Sequence, residues 1–433
     1  MLDLLVIGAG CSGLSAALVA AQAGLRVRVI AKGLGTLHWH AGTLDVLGYL
    51  PGDTPESIPH PFAALDRLPA QHPYARLGAA QVEAAMETIV ASLNRAGLDF
   101  GPSAPDSAAN PAVNLLLPSP IGVARPTWRA PRAQRAGELT SPQPMLIVGF
   151  SGLRDFYPAL IAEHISRAHS IAARADWLPL ATITHRRDNH PVHLAQALDD
   201  PATVARLGAA LKAQVDTGER IGLPAILGLE RHAATLAQLE AETGASIFEI
   251  PTLPPSVPGI RLHKALVATL AQLGVRVEAG MAAIAVHQDG DVIHSVETAT
   301  SSRPLRHRAR AFLLATGGIL GGGLQSDAHG RVWESVFDLP VSAPTTRQGW
   351  FRSEFLDPRG QPIFRGGLEV NDQFQPITPE DSTGAPLLHN VWVAGNALAH
   401  ADAIRTRSVE GLAIATGVAA AHAIIASLGS PPA

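Results

Sequence analysis

The sequence predicts an α/β fold built on a parallel sheet and interrupted by inserted α+β segments. Three observations predict it. The chain opens with a strand, a glycine-rich turn, a helix and a second strand. Two late strands run into Ala315-Thr316-Gly317 and Ala394-Gly395-Asn396. Long stretches without this pattern lie between, so the pieces read as parts of one divided sheet.

Leu2, Leu4, Leu5, Val6 and Ile7 form an apolar run of strand length that ends at a glycine. Such a run suits a strand buried on both faces of a parallel sheet. The turn reads Gly8-Ala9-Gly10-Cys11-Ser12-Gly13. Gly8 permits the tight turn, Gly10 lets backbone approach a pyrophosphate, and Gly13 lets the helix pack closely on the strand. The helix continues through Leu14, Leu18 and Ala21 and is stopped by Gly24. Its N-terminal amides point at an anion. Gly8, Gly10, Ser12 and Gly13 are therefore candidate cofactor-binding residues. A purely structural glycine turn is the alternative, and the strand–turn–helix context speaks against it.

Leu25, Val27, Val29 and Ile30 make the second strand. An acid usually follows such a strand and holds a ribose hydroxyl pair. Here Ala31 and Lys32 stand in that place. A lysine cannot accept hydrogen bonds from a ribose, but it attracts phosphate. The strand end therefore favours a cofactor that ends in phosphate over one held by an adenosine ribose. The competing reading of Lys32 is an ordinary solvent-facing side chain.

The chain has 433 residues, 47% of them hydrophobic and 16% charged, enough for more than one core. A net charge of −4 leaves no nucleic-acid footprint. Cys11 is the one cysteine, so an internal disulfide and a cysteine-ligated iron–sulfur cluster are excluded. Its place in the turn reads as small-residue packing, and no metal site is expected. The N-terminal stretch lacks a basic leader and follows the nucleotide pattern instead of a signal peptide. The tail from Leu412 to Leu428 is apolar but built of small residues around His422. It reads as a buried helix, with no direct membrane span.

Residues 49 to 145 are rich in Pro, Ala and Asp and broken by turns. Met145 to Gly149 is a short strand, Gly152 to Ala168 is helical, and Asp188 to Leu229 holds further helices. Leu223 to Leu227 is readable as a strand. The pattern resumes at Gly259, with a helix over Leu262 to Leu273 and a strand over Val275-Arg276-Val277. Ala283 to Val286 and Val292 to Val296 flank Asp289-Gly290-Asp291, a hairpin signal. Arg310 to Ala315 is a strand, and after a second interruption Asn390 to Val393 is the last one. Gly411 opens the final helix. The expected domains are a flavin domain over 1–48, 259–323 and 386–433, an inserted domain over 49–258, and a small cap over 324–385.

Each late glycine lies where a strand's carboxyl end meets the cofactor crevice. A nicotinamide-only enzyme would not need the distant pieces. The expected fold is thus a Rossmann-like FAD/NAD(P)-binding flavoprotein domain. Thr316, Gly317, Gly395, Asn396 and Gly411 join the cofactor-binding candidates. The loop from Thr36 to Asp45 adds Gly42, for close approach, and Thr43, for a hydroxyl hydrogen bond. His38 and His40 are acid–base candidates, because histidine titrates near neutrality; ordinary loop histidines are the alternative. The proline-rich run Pro251 to Pro258 holds Arg261 at a fixed place, for an anion or for a structural salt bridge. Asp402, Arg405, Arg407 and Glu410 precede the last helix, either for an anionic ligand or paired with one another.

These residues carry a resemblance to a family. The chain resembles the B-type subunit of the anaerobic glycerol-3-phosphate dehydrogenase nearly end to end. The matching segments are the glycine turn, His38 to Leu47, His72-Pro73-Tyr74, Gly149-Phe150-Ser151-Gly152-Leu153 with Asp155-Phe156, Pro251 to Leu262, Ala315 to Leu324 and Ala394 to Asp402. The family likewise lacks the ribose acid. The resemblance implies an FMN flavoprotein that works with two partners, a larger FAD-containing A-type subunit plus an iron–sulfur, membrane-anchoring one. It implies a cytoplasmic place, peripheral at the inner membrane through those partners. It implies oxidation of sn-glycerol 3-phosphate to dihydroxyacetone phosphate, with electrons passed to quinone. His38, His40 and Arg261 are the expected catalytic residues. The alternatives are a non-catalytic electron-transfer or assembly subunit, and a stand-alone flavin oxidoreductase for another small anion. One departure stands out: the family's glycine-rich stretch before the last helix reads Arg405-Thr406-Arg407-Ser408-Val409-Glu410-Gly411 here.

Overall fold

The opening apolar run forms β1 (Leu2–Ile7), and only its first residue is not fully buried. The structure is a computed structural model and describes residues 1–52, 56–101, 113–186, 189–379 and 383–429. After β1 come α1 (Cys11–Gln22), β2 (Val27–Ala31), α2 (Pro73–Arg95) and the hairpin of β3 (Leu115–Pro118) and β4 (Ala124–Thr127). Then follow α3 (Arg132–Arg135), β5 (Met145–Ser151), α4 (Pro158–His169), β6 (Ala173–Pro179), α5 (Pro191–Ala197) and α6 (Pro201–Lys212). The chain continues through β7 (Arg220–Pro224), α7 (His232–Thr243), β8 (Ile247–Ile250), α8 (Val257–Gln272) and β9 (Arg276–Ala279). It closes with β10 (Ala283–Asp289), β11 (Val292–Thr298), β12 (Leu305–Leu314), β13 (Leu324–Ser326), β14 (Val332–Glu334), β15 (Val391–Val393) and α9 (Val409–Leu428).

The chain divides into two units. The first comprises residues 1–36, 45–92 and 266–433. Its sheet has the parallel order β9-β2-β1-β12-β15. That is a doubly wound order, and its direction reverses between β1 and β12, where a ligand crevice opens at the carboxyl ends. Ile7 pairs with Leu314 at that end. The β10–β11 hairpin turns at Gly290 and adds antiparallel to the N-terminal half of β12. A Cβ on Gly417 would lie 2.4 Å from the Ser12 carbonyl, so α9 and α1 touch backbone to backbone. α9 is long and apolar enough to cross a membrane, yet most of it is buried as in a core helix.

The second unit comprises residues 37–44 and 93–265. Its four-stranded sheet runs β6-β5-β7-β8, all parallel, and the antiparallel β3–β4 hairpin lies in the same unit. The expected α+β insertion thus contains a parallel sheet, and α4, the α5–α6 pair and α7 are the crossovers that parallel pairing needs. Burial gives the reason, since β5, β7 and β8 are buried nearly throughout. Asp188, the expected start of the helical stretch before β7, lies outside the described residues. The strand expected over Leu223 to Leu227 starts three residues earlier. Arg220 disguises its start, because this buried arginine donates to the carbonyls of Ala136, Glu138, Ser141 and Gln143. Burial pulls its pKa down to about 10.

The expected domain boundaries also shift. Residues 45–92 and 324–385 belong to the first unit. The buried Tyr74 hydroxyl donates to Val46, and the Gly48 amide donates to Thr406. The Leu368 amide likewise donates to Ala397, next to β15.

Candidate functional site

Residues from three strand ends meet in the first unit. Gly8 has φ 124°, and a Cβ there would lie 2.1 Å from the Ala315 carbonyl. The ends of β1 and β12 therefore touch. A Cβ on Gly13 would lie 2.0 Å from the Gly8 carbonyl, which fixes α1 tightly on β1. Gly10 differs: no atom lies within 4 Å of where its Cβ would be, and no side chain caps α1. Open space beside an uncapped helix N-terminus suits a phosphate. A Cβ on Gly35 would lie 3.1 Å from the Gly10 backbone, so the chain returns beside the turn, and Lys32 is exposed on that returning segment.

Gly317 and Gly395 lie on the same edge. A Cβ on Gly318 would lie 2.5 Å from the Asn396 carbonyl, and one on Gly395 would lie 2.6 Å from the Ser12 hydroxyl. The Thr316 hydroxyl and the Asn396 side-chain carbonyl are buried without a hydrogen-bond partner among the described residues. Each such orphan costs about 1–3 kcal/mol unless water or a ligand completes it. The open cradle at Gly10 and these two orphans fit a flavin nucleotide. Gly411 does not offer its amide there. It donates to the Asp45 carbonyl at 3.0 Å, and Tyr74 fills the space a Cβ would need.

The second unit holds the remaining candidates. The Ser256 amide donates to the His38 carbonyl at 2.7 Å. The His38 ring packs edge-on against His263, with centroids 5.0 Å apart. Burial lowers the pKa of His38, and burial with His38 nearby takes His263 down to about 4. Both rings are therefore neutral at pH 7, and neither Nε2 has a hydrogen-bond partner among the described residues. His263 was not legible as a candidate, because a single histidine on an amphipathic helix gives no signal. His40 is half-buried in the same loop, its carbonyl near Gly259.

Three expectations change here. Gly42 has φ 75° and makes its close approach to Pro258, 2.4 Å from where its Cβ would be. The Thr43 hydroxyl accepts from the buried Arg125 at 2.7 Å. Arg261 is not an open anion receptor. Its guanidinium donates to both Glu249 carboxylate oxygens, at 2.7 and 2.9 Å, and to the Gly228 carbonyl. The two side chains are 4% and 0% exposed. Glu249 in the apolar strand Ile-Phe-Glu-Ile was the overlooked signal, since a buried acid calls for a cation.

The family described as FAD binding domain matches residues 3–408. The B-type subunit of the probable anaerobic glycerol-3-phosphate dehydrogenase of Halobacterium salinarum is 31% identical over 433 residues, covering 97% of each chain. The corresponding B-type subunit of the anaerobic glycerol-3-phosphate dehydrogenase of Yersinia pestis is 30% identical over 440 residues, covering 98% of each. The chain belongs to the family of B-type subunits of anaerobic glycerol-3-phosphate dehydrogenase.

For this member of the B-type family, the departure before the last helix has a structural account. Arg407 adopts φ 48°, a conformation that favours glycine, and its guanidinium pairs with Asp45 at 2.5 Å. Asp45 is thus a partner for Arg407 that lies outside the expected set of Asp402 and Glu410. Arg405 donates its backbone amide to Asp402 at 3.2 Å, and its guanidinium charge also acts on that carboxylate.

Proposed function

We propose that the chain is a flavin-dependent oxidoreductase subunit that oxidises sn-glycerol 3-phosphate to dihydroxyacetone phosphate within an assembly. The observation that carries this reading is the open cradle at Gly10 beside the orphaned Thr316 and Asn396 atoms, in a chain of this family. The relatives are named as one subunit of a dehydrogenase. The partners proposed are therefore a larger FAD-containing A-type subunit plus an iron–sulfur, membrane-anchoring one. Electrons pass through them to a quinone pool, and the chain works on the cytoplasmic side, peripheral at the inner membrane.

When bound, the flavin supplies acceptance of the carbinol hydride. The chain's residues do the rest. The Gly8–Gly13 turn and the α1 amides hold phosphate. Lys32 adds a positive charge, favouring FMN, whereas the FAD-binding family match favours FAD. Thr316 donates a hydroxyl and Asn396 offers a carbonyl. His38, neutral at pH 7, is able to accept a proton, and His40 is the second candidate base.

The second reading is a non-catalytic electron-transfer or assembly subunit. The structural commitments of Arg261 and Thr43 favour it. The purified chain is denatured and its released flavin identified by chromatography; absence of any flavin refutes the flavin reading. The reconstituted complex is then assayed for dye-linked glycerol 3-phosphate oxidation. Loss of turnover in His38→Ala or His40→Ala, with flavin retained, supports chemistry on this chain. Full turnover in both, with loss only in Gly10→Val, selects the second reading.

A further inference from the structure

A cavity of about 140 Å³ lies within the first unit, lined among others by His72, Arg365, His400, Asp402, Arg405 and Thr406. It is distinct from the turn at Gly10. The segment from Asp402 to Thr406 joins the carboxyl end of β15 to α9, and ligands of doubly wound sheets sit beyond strand carboxyl ends. Drug- and cofactor-sized pockets run from roughly 300 Å³ upward, so this one is too small for a flavin. A single water needs only about 10–15 Å³ of such space, so it is far larger than a water site.

Its donors are unspent. His72 is 1% exposed. Its Nδ1 accepts the Tyr74 amide at 3.2 Å, so the ring proton resides on Nε2. That Nε2–H has no partner among the described residues. Among the described residues the buried Arg405 Nε also lacks one, and its Nη2 makes a long 3.5 Å contact with the Gly52 carbonyl. Arg365 is exposed and makes a 3.4 Å contact with the Arg359 carbonyl. Among the described residues neither guanidinium is placed in an ion pair. His400 is already paired with Glu369 at 2.6 Å. Asp402 is 9% exposed and is the acceptor in the cavity wall.

We propose that this cavity is a binding site for a small oxyanion that carries a neighbouring hydroxyl, such as a phosphorylated polyol. Arg365, Arg405 and the His72 Nε2–H take the oxyanion, because two guanidinium groups and one neutral donor outnumber the single carboxylate. Asp402 accepts from the hydroxyl. A dianion matches the two arginines better than a neutral polyol does. Taking glycerol 3-phosphate as the ligand rests on the function proposed above; the oxyanion site does not.

The test is calorimetric titration of the full-length chain with sn-glycerol 3-phosphate, inorganic phosphate and glycerol at fixed ionic strength. Saturable binding of the two phosphates and none of glycerol is expected. Arg405→Ala and Arg365→Ala should each weaken glycerol 3-phosphate binding at least about tenfold, the loss of one charge-assisted bond. Arg405→Lys should recover part of it, and Arg303→Ala, elsewhere on the first unit, should leave binding unchanged. Arg365 is exposed, so its variant keeps the test valid should Arg405→Ala fold poorly. Absence of saturable binding, or unchanged affinity in both alanine variants, overturns the site. Binding through these residues without glycerol 3-phosphate oxidation by the assembled complex overturns the proposed function and leaves the site standing.

Discussion

Arg261→Ala separates a structural role from a catalytic one. The change removes four donated hydrogen bonds and leaves the Glu249 carboxylate buried without its cation. Removing one partner of a buried pair costs about 3–5 kcal/mol. At about 1.4 kcal/mol per decade, the folding equilibrium falls by roughly two to three and a half decades. With a urea m-value of about 2.5 kcal/mol/M, the midpoint of the affected transition drops by roughly 1–2 M. Urea titration followed by far-ultraviolet circular dichroism reads this directly. The paired variant Arg261→Met with Glu249→Gln buries no charge. Its glutamine still accepts the Leu227 amide, which now donates to Glu249 at 2.8 Å. That variant should recover most of the midpoint and keep dye-linked turnover per folded molecule. An unshifted midpoint in Arg261→Ala together with lost turnover would falsify the structural assignment and return Arg261 to the substrate.

Four further outcomes are expected. Gly10→Val places its Cβ where no atom lies within 4 Å and should change stability by no more than about 0.5 kcal/mol, yet abolish visible flavin absorbance. Gly13→Ala drives a Cβ into the Gly8 carbonyl and should cost at least about 1–3 kcal/mol; wild-type melting would contradict this packing. His72 has its pKa pushed from 6.5 to about 4, chiefly by burial, with His400 and Arg365 adding to it, so the unfolded chain binds the extra proton between those values. Its contribution is complete above pH 6.5 and is lost as pH falls toward 4, by on the order of 3 kcal/mol. Urea midpoints at about pH 7.5 and about pH 5 should therefore converge in His72→Gln, and an unchanged gap refutes the assignment. Arg407→Gly should be more stable than Arg407→Ala by about 1 kcal/mol, because both lose the Asp45 pair but only glycine relieves the positive φ. Thermal melting of the two variants checks the order.

Short-range features were legible in the sequence. The apolar run of β1, the spacing of Gly8, Gly10 and Gly13, and the Asp289-Gly290-Asp291 hairpin each specify structure within a few residues. The late strand ends at Ala315 and Ala394 were legible for the same reason, although their neighbours in the sheet were not. Only the tertiary structure decided which charged and polar groups meet. Arg407 finds Asp45 across 362 residues, and Arg125 finds Thr43 across 82. Arg261 finds Glu249, which turns a candidate anion receptor into a buried strut. No local pattern encodes such choices, because a guanidinium is satisfied by any carboxylate or carbonyl the packing brings to it. The second parallel sheet was hidden in the same way, behind the buried Arg220 and its four carbonyls. The sequence thus determined the nucleotide turn and the family. Packing decided which side chains remain free to bind: Thr316 and Asn396 at the crevice, His72, Arg365 and Arg405 around the small cavity.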